Sequence, residues 1–183
     1  PIYGICMQKQ RCRWANPANP LYLRYHDEEW GVPCHDELRL FEMLNLEGAQ
    51  AGLSWETVLN KREAYRVAFD GWNADVIAAY DAAKVEALMQ NAGIIRNRRK
   101  IEATISNARC YLQLKQETGG LDAYLWGWTD GKTVYTDGVH VATSPLSDQI
   151  SKDLKKRGFK FVGSTIIYAY LQATGIISDH DAG

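Results

Sequence analysis

Apolar residues recur at helical spacing along most of the chain. Leu40, Met43 and Leu44 fall at i, i+3 and i+4, and Glu47 completes the stripe at i+7, all on one side of an α-helix. Asn19 followed by Pro20 reads as an N-cap and a first helical position, opening a helix that runs to about Glu29. Asp36 opens the helix over Leu38–Glu47, with Gly48 and Gly52 letting the chain turn after it. Ser54 caps a long helix with the stripe Trp55, Val58, Leu59, Arg62 and Phe69. Asn73 and Asp81 cap two shorter helices, the second closed by Gly93 in the C′ position. Asn97 opens a long helix with Ile101, Ile105, Ala108 and Leu112 on one face. Ser147 caps a helix that ends at Gly158, and Gly163-Ser164 opens the last one, which stops at Gly175. Strand patterning is confined to residues 132–143, where Val134, Thr136, Val139 and Val141 flank Asp137-Gly138 as in a short hairpin. With no repeat, low-complexity tract or linker, the prediction is mainly α: one compact helical domain over residues 1–183, residues 1–10 being a flexible N-terminal segment.

Glu47 is the anomaly in this pattern. A carboxylate on an apolar stripe is costly unless it is paired or hydrogen-bonded, so it needs either a cation from the protein or a ligand. An ordinary salt bridge is the plainer of the two.

Composition narrows the choice. Apolar residues make up 46% of the 183, enough for a proper core, and the formal net charge of −1 excludes a strongly basic nucleic-acid coat while leaving local basic patches possible. No apolar run approaches membrane-spanning length and no secretory signal is visible, so a cytoplasmic protein is expected. The 4 cysteines form no paired framework and read as reduced thiols or metal ligands. Aromatic content is the unusual feature, with 6 Trp and 10 Tyr, many between residues 14 and 55. Tyr22, Tyr25, His26 and Glu29 share one helical face, Trp30 follows His26 at i+4, Trp14 precedes the helix, and Trp55 follows the Glu47 segment. Flat aromatic walls beside a carboxylate suit a planar cation, through stacking and cation–π attraction. An aromatic core is the competing reading.

A second pattern lies in Leu154–Thr165. A helix ends at Gly158, a short loop carries Val162-Gly163, and a new helix starts at Ser164: a helix-hairpin-helix, over about residues 148–174. Glycine lets backbone N–H groups approach a phosphate at a helix N-terminus. Lys152, Lys155, Lys156, Arg157 and Lys160 surround it, and Arg96, Arg98, Arg99 and Lys100 form a second basic cluster. Backbone contact to DNA without base reading is the implied role, against a solvated charged face. Cys12, His26 and His180 are ligand types suited to Zn²⁺, although their spacing alone carries little; His35 and His140 read as surface residues.

Taken in order, Arg11-Cys12-Arg13-Trp14, Pro20-Leu21-Tyr22, Tyr25–Pro33, Leu46-Glu47-Gly48, Ala51–Trp55, Ala92–Arg96, Leu154–Thr165 and Asp179-His180 resemble the 3-methyladenine DNA glycosylase I family. The likeness runs from about residue 11 to the C-terminus and is poor over 117–143. It implies a helix-hairpin-helix glycosylase, a monomer associated with the nucleoid and acting on duplex DNA containing alkylated adenine, that flips out and releases 3-methyladenine by hydrolysis of the N-glycosidic bond. It implies a base pocket of Trp14, Tyr22, Tyr25, Trp30, Glu47 and Trp55, with Tyr25 and Trp55 sandwiching the base and Glu47 as the catalytic or recognition carboxylate. Gly52-Leu53 would plug the gap left by the base, and Lys160, Val162, Gly163, Ser164 and Thr165 would grip phosphates. Thr165 stands where lyase-type relatives place a nucleophilic Lys, which implies a monofunctional enzyme using water. The family's structural zinc joins the two termini through Cys12, His26 and His180, with a fourth ligand expected just beyond Gly183. Asp179 supports the ligand beside it. A non-catalytic helix-hairpin-helix DNA-binding module, a small zinc-stabilised interaction domain and a glycosylase for another lesion, such as 7-methylguanine, are the competing readings.

Overall fold

The computed structural model describes residues 16–136 and 141–179. The expectations placed on Cys12, Trp14, His140 and His180, on residues 1–10, and on the Asp137-Gly138 turn all lie outside the described residues.

Helix α1 spans Pro20–Arg24, with the Asn19 side chain accepting from the Leu21 and Tyr22 amides. It continues as a π-helical turn over Tyr25–Glu29. The Trp30 amide reaches back to the Tyr25 carbonyl at 2.9 Å, the i−5 step that widens a helix and often marks a functional position. Helix α2, Glu37–Ala49, is capped by Asp36 and buried on every side from Leu40 to Ala49. It is the central strut of the molecule.

Ser54 does cap a helix, but the predicted long helix is two. Trp55–Asn60 (α3) and Arg62–Ala68 (α4) meet at Lys61, whose φ of −98° and ψ of 4° break the ladder. Asn73 and Asp81 cap α5, Ala74–Ala78, and α6, Ala82–Met89, as expected. Gly93 is not the C′ residue of α6. That helix closes at Gln90, and Gly93 instead lies against Ala64, where an added Cβ would stand 2.8 Å from the Ala64 Cβ. Its role is close packing.

Asn97 caps α7, Arg98–Thr118, which ends on Gly119 in the left-handed region. Helix α8 covers Leu121–Gly127. Val134–Tyr135 (β1) is extended as expected and pairs in parallel with Ile177–Ser178 (β2), far away in sequence, a partner the pattern did not indicate. Alternation told that the segment was extended but not which backbone would meet it. Helix α9, Pro145–Lys156, is capped by Ser144 rather than Ser147; Ser147 is the N3 partner in a capping box. Pro145 at the first helical position makes the earlier serine the natural cap. Helix α10, Ser164–Ala173, follows.

Helix α10 packs across α2, with the Tyr170 hydroxyl donating to the Leu40 carbonyl at 2.7 Å. The Gly31 and Cys34 amides bond to the carbonyls of Ala173 and Thr174 at 3.1 and 2.9 Å. Gly175, at φ +79°, lies so near Pro33 that a Cβ would meet its backbone nitrogen at 2.5 Å. The early and late parts of the chain are therefore sewn together beside α2. No helix among the described residues is long and apolar enough to cross a membrane.

Candidate active site

The predicted stripe on α2 is real: Leu40, Met43, Leu44 and Glu47 are all buried, Glu47 being 4% exposed. Among the described residues its carboxylate has no hydrogen-bond or ion-pair partner. Burial alone pushes its pKa from 4.5 up to about 8, as expected for a carboxyl removed from water without compensation. Two phenols face this carboxyl. Tyr22 and Tyr25 are buried, and burial above all holds both above the ordinary phenol value, with Glu56 and then Glu47 adding to Tyr22, and Glu47 and then Glu29 to Tyr25. Both stay protonated at neutral pH. The site is a carboxyl walled by neutral tyrosines.

Trp55 opens α3 directly after the Gly52-Leu53 turn and meets Tyr25, with ring centroids 5.5 Å apart and planes at 46°. A planar base between two rings needs about 7 Å, twice a normal contact distance. The expected sandwich is therefore not preformed, and the two rings touch each other instead. Trp55 Nε1 is buried without a partner among the described residues; Trp72 Nε1, in the aromatic core, is the other such atom. An unpaired buried indole N–H is rare enough to mark a place where a ligand or water belongs. Trp30 stacks on His26, ring centroids 6.0 Å apart and planes within 9°. His26 is buried, and its Nδ1 lies 3.1 Å from the Asp27 carboxylate.

An ion cluster that the sequence did not reveal holds this wall. Arg62 donates to both oxygens of Glu29 at 2.8 Å and to Glu42 at 3.1 Å, and Arg66 reaches Glu42 at 3.3 Å. Glu29 closes the π-turn that begins with Tyr25, so Arg62 ties that turn to α2. The stripe analysis did place Arg62 on the inner side of its helix, and that was the available signal.

Lys100 was expected in a DNA-facing basic cluster. It is instead half-buried, donating to the carbonyls of Ala49 and Ala51 at 2.9 and 2.6 Å, where it closes the end of α2 and sets the following turn. Arg98 is exposed but paired with Glu86, and among the described residues Arg96 and Arg99 are the exposed cations of that group with no ion-pair partner. Gly52 has φ +80° and Leu53 is 41% exposed, at the tip of the turn.

The hairpin between α9 and α10 runs through Gly158, at φ +95°, and Phe161, at φ +56°. Val162 is buried and offers only backbone; its carbonyl accepts from Ser151 at 2.6 Å. Lys152, Lys155, Lys156 and Lys160 are exposed, whereas Arg157 is taken up by Asp153 and Glu117. Gly163 is the N-cap of α10 and makes no side-chain cap, so the first-turn amides at Ser164 and Thr165 lack intrahelical acceptors. The Ser164 hydroxyl donates to Asp148 at 2.5 Å. Asp179 accepts from Thr136 and Tyr168, both at 2.8 Å, and from Gln172; it fastens the β1–β2 pair to α10. Among the described residues, no three His, Cys, Asp or Glu side chains converge as a metal site.

A family model described as methyladenine glycosylase matches residues 14–183. DNA-3-methyladenine glycosylase 1 of Escherichia coli (strain K12) is 48% identical over 178 residues, 95% of each chain. A crystal structure of 3-methyladenine DNA glycosylase I superposes with a TM-score of 0.89 at 49% identity, covering 95% of this chain and 97% of that one. Another, a variant of such an enzyme in complex with 3-methyladenine, gives 0.88 at 36% identity and 92% coverage of both.

Proposed function

The chain belongs to the methyladenine glycosylase family, and on that premise we propose that it excises 3-methyladenine from alkylated DNA by hydrolysing the N-glycosidic bond. The observation that carries this reading is the buried, unpartnered carboxyl of Glu47 facing Tyr22, Tyr25 and the neighbouring Trp55. A non-catalytic DNA-binding module has no use for so costly a group.

N3-methylation puts a positive charge on adenine, which weakens the glycosidic bond and its pairing, so extrusion from the duplex costs little. In the pocket the cationic base supplies the counter-charge Glu47 lacks, and the carboxyl ionises beside it. The base's polar edge donates hydrogen bonds to Glu47 while its face stacks on the Tyr25–Trp55 wall, the rings parting or the base lying on one outer face. Bond cleavage leaves the electron pair on the base, which departs neutral and needs no added proton. Water forms the new bond to the sugar carbon that the base has left and passes its proton to the ionised Glu47 carboxylate, which also faces the positive charge developing on the sugar. No lysine stands at Thr165, in keeping with a water-using, monofunctional enzyme.

In the same reading the first-turn amides of α10, with Gly163, Ser164, Thr165 and the exposed Lys160, hold phosphates, the Val162 backbone assisting. Leu53 fills the gap in the stack. The chain works as a monomer in the cytoplasm, at the nucleoid. A structural zinc fits the donor chemistry of Cys12, His26 and His180. The Asp27 carboxylate on Nδ1 of His26 is the partner that metal-bound imidazoles use to fix their tautomer. The metal would cross-link the two ends of the chain and take no part in the reaction.

The test is incubation with methylated duplex DNA followed by chromatography of released bases. Free 3-methyladenine without strand cleavage is expected. A folded, metal-replete protein that binds the duplex and releases nothing would instead be the non-catalytic module.

A further inference from the structure

Three segments meet at two buried amides. Asn107, midway along α7, is 3% exposed, and Asn45, one turn before Gly48 on α2, is 5% exposed. The Asn107 carbonyl oxygen accepts from the Lys160 amide at 2.8 Å, and its nitrogen donates to the Lys160 carbonyl at 3.1 Å. The same nitrogen donates to the Asn45 side-chain oxygen at 3.2 Å, and Asn45 donates in turn to the Phe41 carbonyl at 2.9 Å. Beside this chain, Gly48 lets the hairpin press onto α2. A Cβ there would stand 3.0 Å from the Phe161 Cβ and 3.3 Å from its carbonyl oxygen, and Phe161 is held at φ +56°, a strained region for a bulky residue.

We propose that Asn45 and Asn107 are positioning residues that lock the DNA-gripping hairpin in register with the base pocket, through the Lys160–Asn107–Asn45–α2 hydrogen-bond chain. The proposal rests on the glycosylase reading above. Glu47 sits two residues beyond Asn45 and Lys160 lies at the hairpin tip, so these amides join the two functional sites directly. Each amide is bonded through both its oxygen and its nitrogen, and a buried network of this kind favours one geometry. A base can reach Glu47 only if the phosphates flanking it are held at the matching distance, and a misplacement of about 1 Å costs on the order of a hundredfold in rate.

Asn45→Leu tests this, because it removes the tie to α2 while leaving both Asn107–Lys160 bonds in place. Binding of free 3-methyladenine and of unmethylated duplex should each stay within about twofold, while kcat/KM for excision from methylated duplex falls about tenfold or more. Two intact half-sites with a broken product is the signature of lost register. Excision at the wild-type level overturns the proposal, and so does a parallel loss of free-base binding, which would make the amides part of the pocket's general stability. If Asn45→Leu does not fold, Asn45→Ser reads the same coupling, since its shorter side chain no longer reaches the Asn107 nitrogen and both Asn107–Lys160 bonds stay in place. Wild-type protein is assayed alongside: its failure to release the base would sink the glycosylase reading, whereas an active wild type with an equally active variant sinks only the positioning role.

Discussion

Glu42 and Glu47 lie five residues apart on α2 and are equally buried, at 4% exposure each, yet Arg62 and Arg66 reach Glu42 and no cation among the described residues reaches Glu47. Five residues turn a helix by about 140°, so the two carboxyls face different neighbours. Glu42 faces the arginines of α4, and Glu47 faces the tyrosines of α1 and its π-turn. One is structural and the other is kept in want of a positive charge.

That difference has a sign in stability. The folded state holds a proton on Glu47 up to about pH 8, whereas the unfolded chain releases it near 4.5. Between those values the folded state binds more protons, so stability falls as pH rises, by up to about 1.4 kcal/mol per pH unit. Glu47→Gln removes this slope. Urea unfolding at pH 5 and pH 8 should show the variant's advantage over wild type growing with pH, to a few kcal/mol at most. Parallel profiles would mean that Glu47 is solvated or paired in solution.

Glu47→Ala should lose most of the affinity for free 3-methyladenine, because the base's polar edge then has no acceptor. Isothermal titration at pH 7 reads this directly. Unchanged affinity would remove Glu47 from recognition and leave it a purely catalytic role.

Arg62→Ala strips Glu29 of both its hydrogen bonds and leaves Glu42 to the half-exposed Arg66. Breaking a buried pair from one side costs about 3–5 kcal/mol, so the unfolding free energy should drop by that order and excision should fall as the Tyr25 turn loosens. A loss below about 1 kcal/mol would class the cluster with exposed ion pairs.

Trp55→Ala removes one stacking wall, worth on the order of 1–3 kcal/mol in base binding. Trp55→Phe should recover much of it, having a π-face but no N–H. If Phe binds as weakly as Ala, the orphaned Nε1 is the more important group.

Zinc should copurify at about one equivalent with the full-length protein, seen by elemental analysis. Chelation should lower the melting temperature without altering the products released. Equal melting curves with and without chelator would show that the ends need no metal.

Much of this site was readable in the chain. Helical periodicity put Glu47 on a buried stripe, and the caps at Asn19, Asp36, Ser54, Asn73, Asp81 and Asn97 were all legible, because capping depends on a side chain and the amides two or three residues away. Two misreadings were local: Lys61 breaks one predicted helix into two, and Ser144, set beside Pro145, displaces Ser147 as a cap. The others are places where distant segments decide. Val134–Tyr135 pairs with Ile177–Ser178, a partner set by which backbone the fold brings alongside. Lys100 looked like a phosphate ligand because charge is visible in a sequence and its surroundings are not; in the fold it closes the end of α2. The sequence by itself determined the helical elements, the inward carboxyl and the family resemblance, since each is written in local spacing or contiguous motifs. Only the tertiary structure decided that Glu42 is paired and Glu47 is not, and that Asn107 bridges α2 to the hairpin, because those bonds join residues whose proximity no local pattern encodes.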